Sequence, residues 1–234
     1  MKKDLIYVGF DRDGTLEASA VPFPEALGKK IRQLQKQGVF VFIASGKSVA
    51  ELQNIIADYG FSAHFICGES GGDFFPEHLL HAQNYPDLDA FKQKVPSIFS
   101  QLPSFYGEDK KTVWSKKFGK DVLDAEGIIK NFVQENNWRL NVYAHPFDGE
   151  GGLDVVPVGM SKALALAHIP KEAKIYYFGD AENDLEIMQD VRVLPNAPSN
   201  AKAEIKQLVL QKGGKVATQE AGLGILELLN IYFP

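Results

Sequence analysis

The sequence predicts an α/β fold: a parallel sheet with crossover helices, interrupted by a smaller α+β insertion. Three observations carry this. Short apolar runs at 5–10, 39–44, 64–67 and 174–178 alternate with helical patterns, the order of strand–helix–strand units. The run at 39–44 is apolar throughout, as expected of a strand buried on both faces. Between 83 and 153 the rhythm changes to helices followed by strand patterns, which predicts a second domain set into the first. The expected division is 1–82 with 154–234 for the core and 83–153 for the insertion.

Taken in order, residues 5–10 are apolar and partly β-branched and run into Asp11-Arg12-Asp13-Gly14, two carboxylates followed by a turn signal. Residues 25–37 carry Leu27, Ile31 and Leu34 at helical spacing, with Gly38 at the C-cap place. The run at 39–44 ends in Ser45-Gly46-Lys47-Ser48. Ser48 and Glu51 fit a capping box for a helix through 57 or 58. Gly46-Lys47-Ser48 superficially matches a phosphate-binding P-loop, but Val41 stands where that loop needs its first glycine, which excludes it. The strand at 64–67 leads into Gly68-Glu69-Ser70-Gly71-Gly72.

In the insertion, Leu88, Phe91, Val95 and Phe99 predict a helix broken near Pro96. A strand pair is expected at 104–106 and 112–118, around Gly107-Glu108-Asp109, and a helix at 121–136. Residues 140–145 alternate with the period of a half-buried strand, glycines 149, 151 and 152 mark a turn, and a strand returns at 153–156. The core pattern then resumes with a helix at 161–168 and a strand at 174–178 that ends in Gly179-Asp180-Ala181-Glu182-Asn183-Asp184. A short helix at 186–190, a strand at 191–194, a helix at 199–211, an edge strand at 215–217 and a helix at 222–231 complete it.

At 45% hydrophobic and 24% charged, the 234 residues have an ordinary globular composition. A net charge of -5 argues against a general nucleic-acid binder, though not against a small anionic substrate. Cys67 is the only cysteine, which excludes an intrachain disulfide and a multi-thiolate metal site. The five histidines show no His-x-x-x-His spacing, so a metal site is expected to use oxygen ligands, which favours Mg²⁺. No signal peptide is recognisable at the start and no run reaches membrane-spanning length, so a cytoplasmic protein is expected.

Polar residues stand just past the strand ends at Asp11 and Asp13, at Ser45, and at Asp180, Asn183 and Asp184, with Lys162 at the start of a helix. In a parallel sheet these ends share one edge. Each has an ordinary reading alone: Asp180 and Asn183 as helix caps, Ser45 as a small turn residue, Lys162 as a solvated lysine. Yet a lysine in a first helical turn opposes the macrodipole, and adjacent carboxylates repel unless a cation or proton intervenes.

Together, Asp11-Arg12-Asp13-Gly14-Thr15-Leu16, Ser45-Gly46-Lys47, Lys162 and Gly179-Asp180-Ala181-Glu182-Asn183-Asp184 resemble, in order and spacing, the four motifs of the haloacid dehalogenase-like superfamily. The insertion resembles that superfamily's type IIB cap, as in Cof-like sugar phosphatases and archaeal phosphoglycolate phosphatases. Two departures are visible. Ser45-Gly46-Lys47 stands where Cof-like members usually have Thr-Gly-Arg, and Gly68-Glu69-Ser70-Gly71-Gly72 where they usually have Glu-Asn-Gly.

The resemblance implies a Rossmann-like core with a cap, and a Mg²⁺-dependent phosphatase. It implies that Asp11 attacks phosphorus and forms an aspartyl-phosphate, while Asp13 protonates the leaving alkoxide and then activates water. Ser45, Lys162 and Asn183 would hold the phosphoryl group, and Asp11, Asp180, Asp184 and the Asp13 carbonyl would hold Mg²⁺. The expected partner is a small phosphorylated metabolite, a sugar phosphate or a phosphoglycolate-like ester. The alternatives are a phosphomutase or phosphotransferase of the same superfamily, and a catalytically idle binding protein of the same fold. The compact chain, with no extra sugar-bisphosphate motif, favours the phosphatase, and the cost of burying like charges without a metal role argues against the idle protein. Specificity is expected on the free face of the cap sheet, from Asn141, Tyr143 and His145 or from Thr112, Trp114 and Lys116.

Overall fold

A computed structural model of the chain describes residues 5–77, 85–107, 110–145 and 151–234. Its regular elements begin with β1 (Ile6–Phe10), α1 (Glu25–Lys36), β2 (Phe40–Ala44), α2 (Val49–Asp58), β3 (Phe65–Gly68) and β4 (Asp73–Phe75). There follow α3 (Pro86–Lys94), β5 (Trp114–Lys117), α4 (Val122–Glu135), β6 (Leu140–His145) and β7 (Gly152–Pro157). The last are β8 (Lys174–Phe178), α5 (Leu185–Gln189), β9 (Val193–Ala197), α6 (Ala203–Gln211), β10 (Lys215–Val216) and α7 (Ala221–Tyr232).

The chain divides into two compact units, Met1–Leu80 with Ser161–Pro234, and His81–Met160. The first unit resumes at Ser161 rather than at the expected 154. The reason is β7, whose residues pair with β5 on one side and β6 on the other and so belong to the second unit's sheet.

In the first unit a seven-stranded sheet has the order β10-β9-β8-β1-β2-β3-β4. The first six strands in that order pair in parallel, and β4 pairs antiparallel with β3. Alternation along each strand sends side chains to two opposite layers. Val8, Phe10, Val41, Ile43, Tyr176 and Phe178 pack with Leu27 and Ile31 of α1 and Ile225 and Leu228 of α7. Tyr7, Phe42, Ala44, Ile175 and Tyr177 pack with Ile187 of α5 and Ile205 and Val209 of α6. Each buried side chain of this kind contributes about 1.5–3 kcal/mol of transfer free energy. Gly9 allows the close packing of the central strands: a Cβ there would lie 2.1 Å from the Phe42 ring.

Several elements differ from expectation. β4 was not expected, since three residues after a glycine-rich loop are too few to show a period. The strand expected at 191–194 lies at Val193–Ala197, because a turn in which Asp190 Oδ1 accepts the Arg192 amide at 2.9 Å comes first. The helix expected from 199 starts at Ala203, because the Ser199 and Lys202 amides donate to Gln219 O and Asp180 O at 2.9 Å instead. The helix expected at 161–168 is a 3₁₀ helix, Lys162–His168.

The second unit has, among the described residues, a three-stranded antiparallel sheet of order β5-β7-β6. Leu88 and Phe91 of α3 and Ala125, Ile129 and Val133 of α4 cover one face. The break near Pro96 is present: α3 ends at Lys94 and a 3₁₀ helix, Val95–Gln101, follows. The strand expected at 104–106 is only a bridge between Tyr106 and Lys117. The expected turn residues Glu108, Asp109 and Gly149 and the first domain boundary lie outside the described residues.

Register separates the two candidate sets onto opposite faces of this sheet. Val155 pairs with both Trp114 and Val142, and Leu153 with both Lys116 and Ala144. Trp114 and Lys116 therefore stand on the helix-covered face, where Trp114 joins the core. Asn141, Tyr143 and His145 stand on the open face, and Ser115, Lys117 and Asp154 share it. Thr112 precedes β5.

Candidate active site

Three adjacent strand ends assemble the site. β1 lies between β2 and β8, with Phe10 level with Ile43 and Phe178. Asp11, Ser45 and Gly179-Asp180 thus leave the sheet side by side. The Asp11 amide donates to Phe178 O at 2.9 Å, which fixes where its side chain starts.

Asp11, Asp180 and Asp184 each bring a carboxylate oxygen to within 4.8 Å of the others. Asp11 is 4% exposed and Asp184 is fully buried. Lys162, also buried, sits between them: its Nζ is 3.0 Å from Asp11 Oδ1 and 2.8 Å from Asp184 Oδ1. It is held at the first position of its 3₁₀ helix, which Ser161 caps by accepting the Ala163 amide at 3.3 Å.

The electrostatics follow from burial. Burial pushes Asp11 well above the ordinary carboxylate range; Lys162 opposes this, and Asp184, Asp180 and Asp13 add to it. Burial and the Asp184 carboxylate push Asp180 up to about 6, against the pull of Thr15 and Lys162. Burial disfavours the Lys162 ammonium, but Asp11 and Asp184 more than offset that and raise its pKa. The oxygen donors, their convergence and the upward pressure on Asp11 and Asp180 all fit a hard divalent cation.

The remaining expected residues are placed differently. Ser45 is buried at the end of β2; its Oγ accepts the Lys47 amide at 3.4 Å and its carbonyl the Ser70 amide at 3.0 Å. Asp13 stays out of the cluster: its side chain is 58% exposed and pairs with Arg12, whose other arm pairs with Glu17. Tyr59 donates to that same Glu17. Asn183 is exposed on the short 3₁₀ turn Glu182–Asp184. The structure therefore joins Asp11, Lys162, Asp180 and Asp184, keeps Ser45 one strand away, and leaves Asp13 and Asn183 at the surface.

Three contributors escaped the sequence reading. Thr15 Oγ1, within the Asp11–Leu16 motif, donates to Asp180 Oδ1 at 2.9 Å. Gly14, at φ 78°, lets the two loops meet, since a Cβ there would lie 2.2 Å from Asp180 Oδ2. Tyr177 donates from inside the sheet to Asp184 Oδ1 at 2.8 Å. Its sequence signal is weak: it is one of two adjacent tyrosines in the strand, two residues before Gly179.

YkrA of Bacillus subtilis is 26% identical over 95% of this chain and 99% of its own length. The 5-amino-6-(5-phospho-D-ribitylamino)uracil phosphatase YcsE of the same organism is 21% identical, covering 87% of this chain and 88% of its own. Among solved structures, TM0651 from Thermotoga maritima shares the fold with a TM-score of 0.75 at 17% identity, covering 97% of each chain. A family model for haloacid dehalogenase-like hydrolases matches residues 8–74 and 92–212. By class the chain is a phosphoric monoester hydrolase. It belongs to the haloacid dehalogenase-like hydrolase family.

Proposed function

We propose that the protein is a Mg²⁺-dependent phosphatase that hydrolyses a small phosphomonoester through an aspartyl-phosphate on Asp11. The observation that carries this is the Asp11–Lys162 pair at 3.0 Å beside the Asp180 carboxylate. A buried nucleophile needs its charge compensated until it reacts, and a fixed ammonium one bond away also meets the phosphoryl oxygens. Asp11 and Asp180, with the Asp13 carbonyl, would hold Mg²⁺, and Asp184 lines the same cluster. The bound ion would neutralise phosphoryl charge and keep Asp11 ionised.

An Asp11 carboxylate oxygen forms the new bond to phosphorus as the ester oxygen leaves with its electron pair and takes the proton of Asp13. Asp13 then removes a proton from water, whose oxygen displaces Asp11 from phosphorus. Lys162 stays protonated throughout. Ser45 donates its hydroxyl to the phosphoryl group, and Asn183 orients it from the rim. The exposure of Asp13 suits a group that must reach a leaving alcohol and then water.

YcsE, a phosphatase of a phospho-ribitylamino compound, supports a sugar-phosphate-like substrate; a phosphoglycolate-like ester is the smaller alternative. The open cap face with Asn141, Tyr143 and His145 is the proposed seat of specificity. No helix among the described residues is long and apolar enough to cross a membrane; a cytoplasmic setting is part of this proposal. A panel of phosphomonoesters assayed for released phosphate tests the reading. Turnover of at least one, lost in EDTA and restored by Mg²⁺, is expected. Transfer of phosphate to a sugar in preference to water would instead make it a mutase, and no turnover of any ester would make it a binding protein.

A further inference from the structure

Asp184 is unusual among the three carboxylates because its hydrogen-bonding capacity is full. Oδ1 accepts from Lys162 Nζ at 2.8 Å and from the Tyr177 hydroxyl at 2.8 Å. Oδ2 accepts from the Asp180 amide at 3.0 Å and from the Ala181 amide at 3.2 Å. An ionised carboxylate offers about four lone-pair sites, and here four donors occupy them. Asp180 Oδ1, by contrast, accepts one bond, from Thr15.

We propose that Tyr177 is a positioning residue of this site: its hydroxyl completes the shell of Asp184, so that Asp184 anchors Lys162 and the 180–184 loop and leaves the cation to Asp11 and Asp180. Tyr177 is fully buried in β8, one residue from the strand's end. Its ring packs 6.1 Å from Phe42, and its oxygen also lies 3.5 Å from Ala44 O at the end of β2. The ring is thus held by the core while the hydroxyl reaches past the sheet edge. Burial and the nearby carboxylates of Asp184 and Asp11 keep it a neutral donor.

The consequence concerns Lys162, whose Nζ serves Asp11 and Asp184 together. Without the hydroxyl, Asp184 Oδ1 regains a lone pair. A second proton of Lys162 or a cation would fill it, and either draws positive charge toward Asp184 and away from Asp11. The hold on a phosphoryl group weakens, while Asp11 and Asp180 still offer their oxygens to the ion.

This inference rests on the phosphatase reading of the cluster, and calorimetry on the full chain separates the two. Mg²⁺ alone is titrated first, then inorganic phosphate at saturating Mg²⁺, for wild type, Tyr177→Phe and Asp180→Asn. Tyr177→Phe should keep Mg²⁺ affinity within about threefold and lose about tenfold in phosphate affinity, the scale of one hydrogen bond to a charged group. Asp180→Asn should lose most Mg²⁺ affinity. Tyr177→Met, which also lacks the hydroxyl and packs adaptably, provides the same two constants should the phenylalanine variant not fold. Mg²⁺ binding lost in a hydroxyl-free variant as severely as in Asp180→Asn would overturn the proposal, as would unchanged phosphate affinity. A wild type that binds neither Mg²⁺ nor phosphate would instead overturn the phosphatase reading itself, and this inference with it.

Discussion

Asp11 and Asp13 are two residues apart and live in opposite surroundings. Asp11 is buried, bonded to Lys162 and crowded by two more carboxylates. Asp13 is mostly exposed, on a turn whose backbone is tied to Glu17: the Gly14 amide donates to Glu17 O at 2.7 Å. The difference comes from the strand end. Asp11 still has its amide in the β8 ladder, whereas by Asp13 the chain has turned out of the sheet. One motif thereby yields a carboxylate enclosed by fixed partners and one that faces solvent beside Arg12. That division suits a nucleophile and a general acid–base.

Removing each carboxylate should break this contrast in different ways. Asp11→Asn should show the largest effect, a loss of at least about 10⁴-fold in kcat with no phosphoenzyme, as when other covalent nucleophiles are removed. Asp13→Asn should slow the first step, transfer of the phosphoryl group to Asp11, about 10²–10⁴-fold on alkyl phosphates and much less on activated aryl phosphates, whose leaving groups need little protonation. Here a phosphoenzyme should accumulate, because its hydrolysis needs the missing base; intact-protein mass would detect it.

The buried side of the contrast also predicts a pH signature in the fold's stability. Asp180 is raised from an ordinary 3.8 to about 6. A raised acid favours the folded state while protonated, and that contribution is lost as pH rises through about 6. The metal-free protein should therefore lose stability across this window, and the Mg²⁺-induced rise in Tm should grow across it. At a Mg²⁺ concentration about 100 times Kd the rise should be about 5 °C at neutral pH. A Mg²⁺ effect on Tm that is the same on both sides of the window would remove Asp180 from the ion's ligands. The smallest effect is expected at the rim. Arg12→Met removes two partly exposed ion pairs, to Asp13 and Glu17, and should change stability by about 1–2 kcal/mol at most in denaturant unfolding. Its kinetic effect should be larger on alkyl phosphates, where Asp13 must protonate the leaving oxygen as well as activate water.

How far this was legible in the sequence depended on range. Strands such as 39–44 and 174–178 declare themselves because burial on both faces leaves runs of apolar and aromatic residues, with Lys174 at the exposed start of the second. Asp11, Asp180, Asp184 and Lys162 were legible because each stands at a strand or helix end, and parallel topology gathers such ends. Thr15 and Tyr177 were not, since their partners lie on other loops and a hydroxyl in a strand names no acceptor. The environment of Asp13 was hidden for a related reason: Arg12 bridges it to Glu17, a side-chain arrangement that spacing does not encode. The unit boundary at Ser161 depended on which sheet β7 joins, which is a matter of pairing rather than pattern.

The central claim is that Asp11 carries the phosphoryl group, and rapid-quench trapping tests it most directly. Wild type is mixed with Mg²⁺ and an aryl phosphate, stopped in acid within a turnover, and its peptides are mapped by mass. A phosphoryl group on the peptide containing Asp11, absent from Asp11→Asn, is the expected result. Phosphate attached at another residue, or turnover retained by Asp11→Asn, would contradict the account.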